Sequence, residues 1–420
     1  MVYLYDRSWL YSYKDIPENI VTFGAPCKVH KNNKSKIMKE LNVIYIGPQS
    51  FPIGGATSKR RRYMIDYMNN HNIQSHYLVC DFKQRGKPVN KIKGTYGLCN
   101  YYDITHFASN KNYIKFWNEG KRYLLSCYNQ NKKNVLIFAT SVSVFEYPFY
   151  VYAKKIGYKI ICDQVETSYL ENGRMSWLHK INIKVSEWIS DKVYKNSAAF
   201  VISKNLYNEV HRKYPNRKLC LLQNSTPQLS NEYRRKFNNP IQILYSGTYS
   251  NKDGVKYLLE GVIEAYEAGC NLQLVLLGKG TKKDMEVLNI AKGKEYIKYL
   301  GFVSDEELNK CLLNSDILCM TRSNSRFANY GFPFKLSEYL ATGNIVLATN
   351  VGDVCDYIED KKSAYIVPPE NSHSIAKTLL HIHNNPEEAF TVAKSGLEAM
   401  QKHFSIENVG KIFIDFLKEI

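Results

Sequence analysis

No stretch of this 420-residue chain approaches the roughly 18 uninterrupted apolar residues that a membrane span needs. Its opening residues, MVYLYDRSWLYSYKD, lack the basic-then-apolar order of a secretory leader. Its ten cysteines (Cys27, Cys80, Cys99, Cys127, Cys162, Cys220, Cys270, Cys311, Cys319, Cys355) include no C-x-x-C pair. Several lie in apolar strand-like runs, such as Cys162 in KIICD and Cys319 in ILCM, which fits buried thiols in a reducing compartment better than disulfides or zinc. G-x-G-x-x-G, G-x-S-x-G, H-E-x-x-H and D-x-D are all missing, which leaves dinucleotide, hydrolase-elbow and metalloprotease readings without support. His381 and His383 are two apart on an expected helix, face different ways and make a poor metal pair. The expected location is cytoplasmic, with a peripheral position on the inner face of the cell membrane compatible with it.

Acidic residues are scarce in one half only. Residues 1–230 carry 35 Lys+Arg against 15 Asp+Glu, a net of +20, whereas residues 231–420 carry 22 against 24, a net of −2, which together give the chain's +18. A lysine-rich composition accounts for part of the total but not for the asymmetry. A field of this kind attracts polyanions or an anionic membrane face. The 33 tyrosines show no repeat or recognisable nucleic-acid motif, and no nucleic-acid partner is expected.

The 44% hydrophobic share is that of a globular chain, and the length suggests two or three domains. After an aperiodic stretch, 1–41, short apolar runs alternate with helix-compatible segments: NVIYIG, HYLVC, NVLIFAT, KIICD, AAFVIS and CLLQN. A polar segment, STPQLSNEYRRKFN (226–239), interrupts the pattern, which restarts with QILYSG, LQLVLLG, IKYLG, ILCM, NIVLAT and AYIVP. Apolar strands alternating with helices predict parallel sheets covered on both faces. The expected architecture is therefore α/β, with two doubly wound Rossmann-like domains facing each other across a cleft. The expected division is an extension, 1–41; a first domain, 42–228; and a second, 229–403. The final segment, 404–420, is a candidate to pack back on the first domain.

Four segments carry possible chemistry. Gly54-Gly55 follow the first strand and open a helix, where backbone N–H groups can meet an anion; a plain strand–helix turn is the simpler reading. The run Lys59-Arg60-Arg61-Arg62 that starts this helix is read as an acceptor- or membrane-facing surface, against a solvated helix face. Asp163 and Glu166, in DQVE after KIIC, sit at a strand end where α/β enzymes place catalytic groups; loop bracing is the alternative. Gly247, Thr248 and Lys252 lie in a second glycine turn, YSGTYSNKDG, that enters a helix. Strongest is YGFPFKLSEYLATG (330–343). Lys335 falls in the first turn of a helix, where a cation is poorly placed for helix stability and well placed for a diphosphate. Glu338, three residues on, shares that face and suits ribose hydroxyls.

On these segments the chain resembles the family 4 glycosyltransferases, retaining enzymes of the GT-B fold, of the bacterial surface-polysaccharide type. The second half matches from ILYSGTYSNKDGV through LGFVSDEELNKCLLNSDI to FPFKLSEYLATGNIVLATNVGDVCDYI; the first half matches more thinly, at VIYIGPQSFPIGGATSKRRRYM, DQVE and AAFVISKNLYNEV. The resemblance implies that Glu338 holds the donor ribose, that Gly331, Phe332 and Lys335 hold the diphosphate and sugar, and that Gly54 and Gly55 lie beneath the phosphates. Two departures stand out. Tyr330 occupies the position of the family's first glutamate, and Thr248 and Asp253 occupy those of its arginine and lysine; Lys252 and Lys335 are the expected substitutes. The implied activity is transfer of a sugar from a nucleotide diphosphate sugar to an acceptor hydroxyl, without metal or other cofactor, in capsule, lipopolysaccharide or exopolysaccharide assembly. The acceptor would be lipid-linked or an oligosaccharide, at an anionic membrane surface. The alternatives are a GT-B-like sugar-nucleotide epimerase and, more distantly, a basic nucleic-acid-binding protein.

Overall fold

The structure, a computed structural model, describes residues 40–48, 51–80, 92–109, 112–140, 142–165, 177–230 and 236–420, with backbone alone for 177–183. The 1–39 part of the expected extension lies outside the described residues.

Apolar strand runs and intervening helices fold into two sheets. The first has the order β3 (Lys93–Tyr96), β4 (Cys99–Asp103), β2 (Ser75–Val79), β1 (Leu41–Gly47), β5 (Lys133–Phe138), β6 (Lys159–Gln164), β7 (Ala198–Val201), β8 (Leu219–Leu221). All its pairings are parallel except the β3–β4 hairpin. The second, wholly parallel, has the order β11 (Ile297–Gly301), β10 (Leu272–Lys279), β9 (Ile241–Thr248), β12 (Ile317–Met320), β13 (Ile345–Thr349), β14 (Tyr365–Val367). In each sheet the strand order reverses beside the first strand, between β1 and β5 and between β9 and β12. Open parallel sheets bind ligands beyond their strand C-termini at such a point.

Alternating side chains of β1 and β5 serve two cores in the first domain. Val43, Tyr45, Val135 and Ile137 pack under the helix Ala56–Asn70, and Ile44, Ile46, Leu136 and Phe138 under the helices Tyr113–Cys127 and Tyr147–Ile156. The β3–β4 hairpin and Tyr113–Cys127 were not expected; they lie between the runs HYLVC and NVLIFAT. Their signals are present nonetheless: Phe116, Gly120 and Leu124 recur at helical spacing, and Asn112 accepts a hydrogen bond from Lys115 N at 3.1 Å to cap the helix.

The final helix, Ile406–Glu419, returns from the second domain to the first. Val409, Phe413, Ile414, Phe416 and Leu417 are buried in the same core as Tyr45, Tyr67 and Phe200. The chain thus passes between the domains twice, side by side: Thr226 pairs with Ser405 in a short parallel bridge, and Thr226 N donates to Phe404 O at 2.8 Å. No helix among the described residues is long and apolar enough to cross a membrane.

Candidate functional site

Beyond the C-terminus of β9 the chain turns sharply through Gly254, at φ +63°, into the helix Val255–Glu267. A Cβ on Gly254 would lie 1.8 Å from Thr321 O, so this close approach of the β9 and β12 loops requires glycine. The helix Phe334–Leu340 packs beside these loops, with the Tyr339 hydroxyl accepting from Ser246 N at 3.1 Å and donating to Ser246 O at 3.2 Å. That contact lays Lys335 across Gly247, where a Cβ would meet Nζ at 2.2 Å. The ammonium donates to the Tyr245 hydroxyl at 3.0 Å and lies 3.6 Å from Asp253 Oδ1.

Asp253 is buried and accepts from the hydroxyls of Thr248 and Ser250 as well. Burial opposes its ionisation, but Lys335 and the two hydroxyls hold its pKa below the usual carboxylate range. Burial pushes the Lys335 ammonium below its ordinary value, Asp253 raises it, and neighbouring Arg322 and Lys252 add to the depression. Lys252 also sits over the Phe327 ring at 4.2 Å. Lys335 and Lys252 thus act on the Asp253 carboxylate and Arg322 on Lys335, a gathering of three cations at the β9–β12 switch point suited to an anionic group such as a diphosphate. Arg322 was missed from sequence; its position two residues past the strand ILCM, beside β9, is the signal that marks it.

Glu338 lies on the next turn of the same helix and faces the first domain. Its Oε1 accepts from Lys59 Nζ at 3.0 Å, and Lys59 also lies 3.5 Å from Asp305. Gly55 precedes the helix that carries Lys59, with nothing within 4 Å of where its Cβ would be. The Gly331 loop approaches the end of β6: a Cβ there would lie 3.9 Å from Val165 O. The structure thus gathers Gly247, Thr248, Lys252, Gly331, Lys335 and Glu338 with the Lys59 turn at one cleft.

Other expectations are corrected. Arg60 and Arg61 do not form an acceptor or membrane surface, because both are buried. Arg60 makes a forked pair with Asp163, at 3.0–3.3 Å, and donates to the carbonyls of Leu222 and Gln223 and to Asn224 Oδ1. Arg61 donates to Thr57 O and Ala139 O. Lys59 points into the cleft, and Arg62 lies over the Tyr63 ring at 5.2 Å. Asp163, 4% exposed with both oxygens taken by Arg60, braces β6 against β8's exit rather than standing ready to take a proton. Glu166 lies outside the described residues. The Phe332 ring is buried against Tyr357 and Phe404, and its carbonyl accepts from Asn224 Nδ2 at 3.5 Å, so its side chain is not offered to a donor. Pro333 precedes the helix as its cap residue. Among the described residues no three His, Cys, Asp or Glu side chains are grouped as a metal site requires.

Residues 240–385 match the family model described as glycosyl transferases group 1. The chain is 22% identical over 291 residues to an alpha-D-kanosaminyltransferase of Streptomyces kanamyceticus, covering 65% of this chain and 74% of that protein. It is 22% identical over 176 residues to the amylovoran biosynthesis glycosyltransferase AmsK of Erwinia amylovora, covering 41% and 43% of the two. Anabaena HepE, solved in complex with UDP, superposes with a TM-score of 0.63 at 12% identity over 90% of this chain and 100% of that one. These relatives give the epimerase alternative no support. With the transferase module spanning the β9–β12 switch point and the two-domain frame shared along nine-tenths of its length, residues 240–385 form a glycosyl transferases group 1 domain and the chain is a glycosyltransferase with the GT-B fold.

Proposed function

We propose that the protein moves a sugar from a nucleoside diphosphate sugar to an acceptor hydroxyl with retention of anomeric configuration, in assembly of a surface polysaccharide. The observation that carries this reading is Lys335 lying across Gly247 with Arg322 and Lys252 close enough to act on its charge, and Glu338 one helical turn away. The diphosphate lies against the three cations and the ribose hydroxyls donate to Glu338. The bond from the anomeric carbon to the departing phosphate oxygen breaks as the acceptor oxygen bonds to that carbon from the same face. The acceptor proton passes to the departing phosphate. Lys335 and Arg322 stabilise the charge that grows on the phosphate in this step, so they strengthen binding most in the transition state. No metal or other cofactor is invoked. UDP bound to HepE and the amylovoran role of AmsK support a nucleotide donor and a polysaccharide product.

The acceptor is lipid-linked or an oligosaccharide, met at an anionic membrane. Support for the membrane comes from the outer face of the helices Tyr113–Cys127, Tyr147–Ile156 and Trp177–Tyr194. Ile114, Leu125, Val151, Val185 and Trp188 are exposed there, among exposed Lys115, Arg122, Lys154, Lys155, Lys184 and Lys192. This surface replaces the buried arginines as the basic face.

A thermal-shift panel of UDP-, GDP- and ADP-sugars identifies the donor, and Lys335→Ala then tests the assignment. The variant is expected to lose about 100-fold in kcat/KM with that donor. Unchanged donor affinity and turnover in Lys335→Ala would overturn it.

A further inference from the structure

The geometry points to Lys59 as a positioning residue that orients Glu338 for the donor ribose from the opposite domain, so that nucleotide recognition is completed only when the cleft is closed. The inference rests on the reading of Glu338 as the ribose contact.

Two helices meet across the cleft here, Ala56–Asn70 of the first domain and Phe334–Leu340 of the second. Lys59 faces Glu338, and Tyr63, one turn on, stacks on Phe334, one turn back, with ring centroids 6.3 Å apart and planes 15° apart. Contacts that run forward on one helix and backward on the other mean that the helices lie side by side and antiparallel. The Tyr63–Phe334 pair fixes their register, because Phe334 packs against the first domain's own core. In that register the Lys59 ammonium stands 3.0 Å from Glu338 Oε1 and 3.5 Å from Asp305 Oδ1, with only 11% of its side chain exposed.

A carboxylate beside a diphosphate site is repelled by the ligand it is meant to help hold. Lys59 offsets that repulsion and occupies one oxygen of Glu338, leaving Oε2 for ribose hydroxyls. Among the described residues the cation paired with Glu338 is Lys59, so this counter-charge arrives with the first domain. Opening the cleft separates Lys59 from Glu338 and removes the orientation. This ties ribose capture to closure through one ion pair.

The test measures binding of UDP, GDP and ADP to the full chain by calorimetry, then compares the tightest of them with its 2′-deoxy and 3′-deoxy forms. Wild type, Lys59→Met, Lys59→Arg and Glu338→Gln are measured in parallel, with circular dichroism and melting curves as checks of folding. Lys59→Met is expected to weaken the ribonucleotide about tenfold while weakening the deoxy form little, so that discrimination between them collapses. Lys59→Arg restores most of it. A general packing defect would weaken both nucleotides alike and would not be rescued by arginine. If Glu338→Gln loses discrimination while Lys59→Met keeps it, the role of Lys59 is refuted and the ribose contact stands. If Glu338→Gln keeps full discrimination, the ribose reading itself fails, and the inference with it.

Discussion

Asp163 is the residue at which bracing and catalysis part most sharply. Arg60 and Asp163 are both 4% exposed, so neither charge has water as a second partner. The guanidinium donates both to the carboxylate and to three neutral acceptors, Leu222 O, Gln223 O and Asn224 Oδ1. Breaking a buried pair costs about 3–5 kcal/mol, chiefly because one charge is stranded. Asp163→Asn leaves Arg60 those three acceptors and one amide oxygen, which places its cost near the lower end, about 3 kcal/mol. Arg60→Met strands a carboxylate whose next cation, Arg61, is 4.0 Å away, and unpairs two carbonyls, so about 5 kcal/mol is expected. The double variant Arg60→Met/Asp163→Asn strands no charge and should recover about 2 kcal/mol of the summed single losses. Urea unfolding followed by circular dichroism measures the cycle, and steady-state kinetics on the folded protein gives the second readout. Per folded molecule, Asp163→Asn should hold kcat within about threefold of wild type. A variant with unchanged stability and a kcat loss beyond about 100-fold would refute the bracing role and restore Asp163 as a catalytic group.

Two further predictions concern the first domain. Removing two lysines from the exposed helical face, in Lys155→Ala/Lys184→Ala, should weaken binding to phosphatidylglycerol vesicles by about 2 kcal/mol, about thirtyfold, with no effect on neutral vesicles. Sedimentation that ignores anionic lipid would remove the membrane from the proposal. His76, on β2, is pushed down to about 4 from an ordinary 6.5 by burial and by Lys132, and its ring makes an edge contact with Tyr123. Because the folded value is the lower one, its neutral form costs nothing above pH 6.5, and stability falls as pH drops from there toward 4, where the unfolded chain takes the proton first. The loss is about 1.4 kcal/mol per pH unit and reaches about 3 kcal/mol. His76→Asn should flatten that part of the stability curve; parallel curves for variant and wild type would contradict it.

Much of this could be read from residues alone, and the exceptions have physical reasons. Strand runs such as NVIYIG and NIVLAT are apolar throughout because both sheet faces are covered, and that feature is local. That Lys335 and Glu338 lie a turn apart on one helix was legible because the helix signal is local. The arginine run misled because a solvated charge run and a buried one look alike until the partner is known. The partner of Arg60 lies on β6, and its other acceptors follow β8. One clue was available: Arg61 falls in line with Met64, Ile65 and Met68, the buried stripe of its helix. The role of Lys59 was out of reach, since it depends on a contact between residues 279 apart in the chain, one in each domain.

The return of Ile406–Glu419 to the first domain has a consequence for how the protein is made. Residues near the amino end usually fold first as a chain leaves the ribosome. Here Val409, Phe413, Ile414, Phe416 and Leu417 fill a core whose other walls, Tyr45, Tyr67 and Phe200, emerge more than two hundred residues earlier. The domain begun first is therefore completed last, after all of the second has been synthesised, and until then Tyr67 and Phe200 lack the side chains that cover them. A nascent chain holds this apolar surface open while more than two hundred further residues are translated, a period in which chaperones have a defined face to bind.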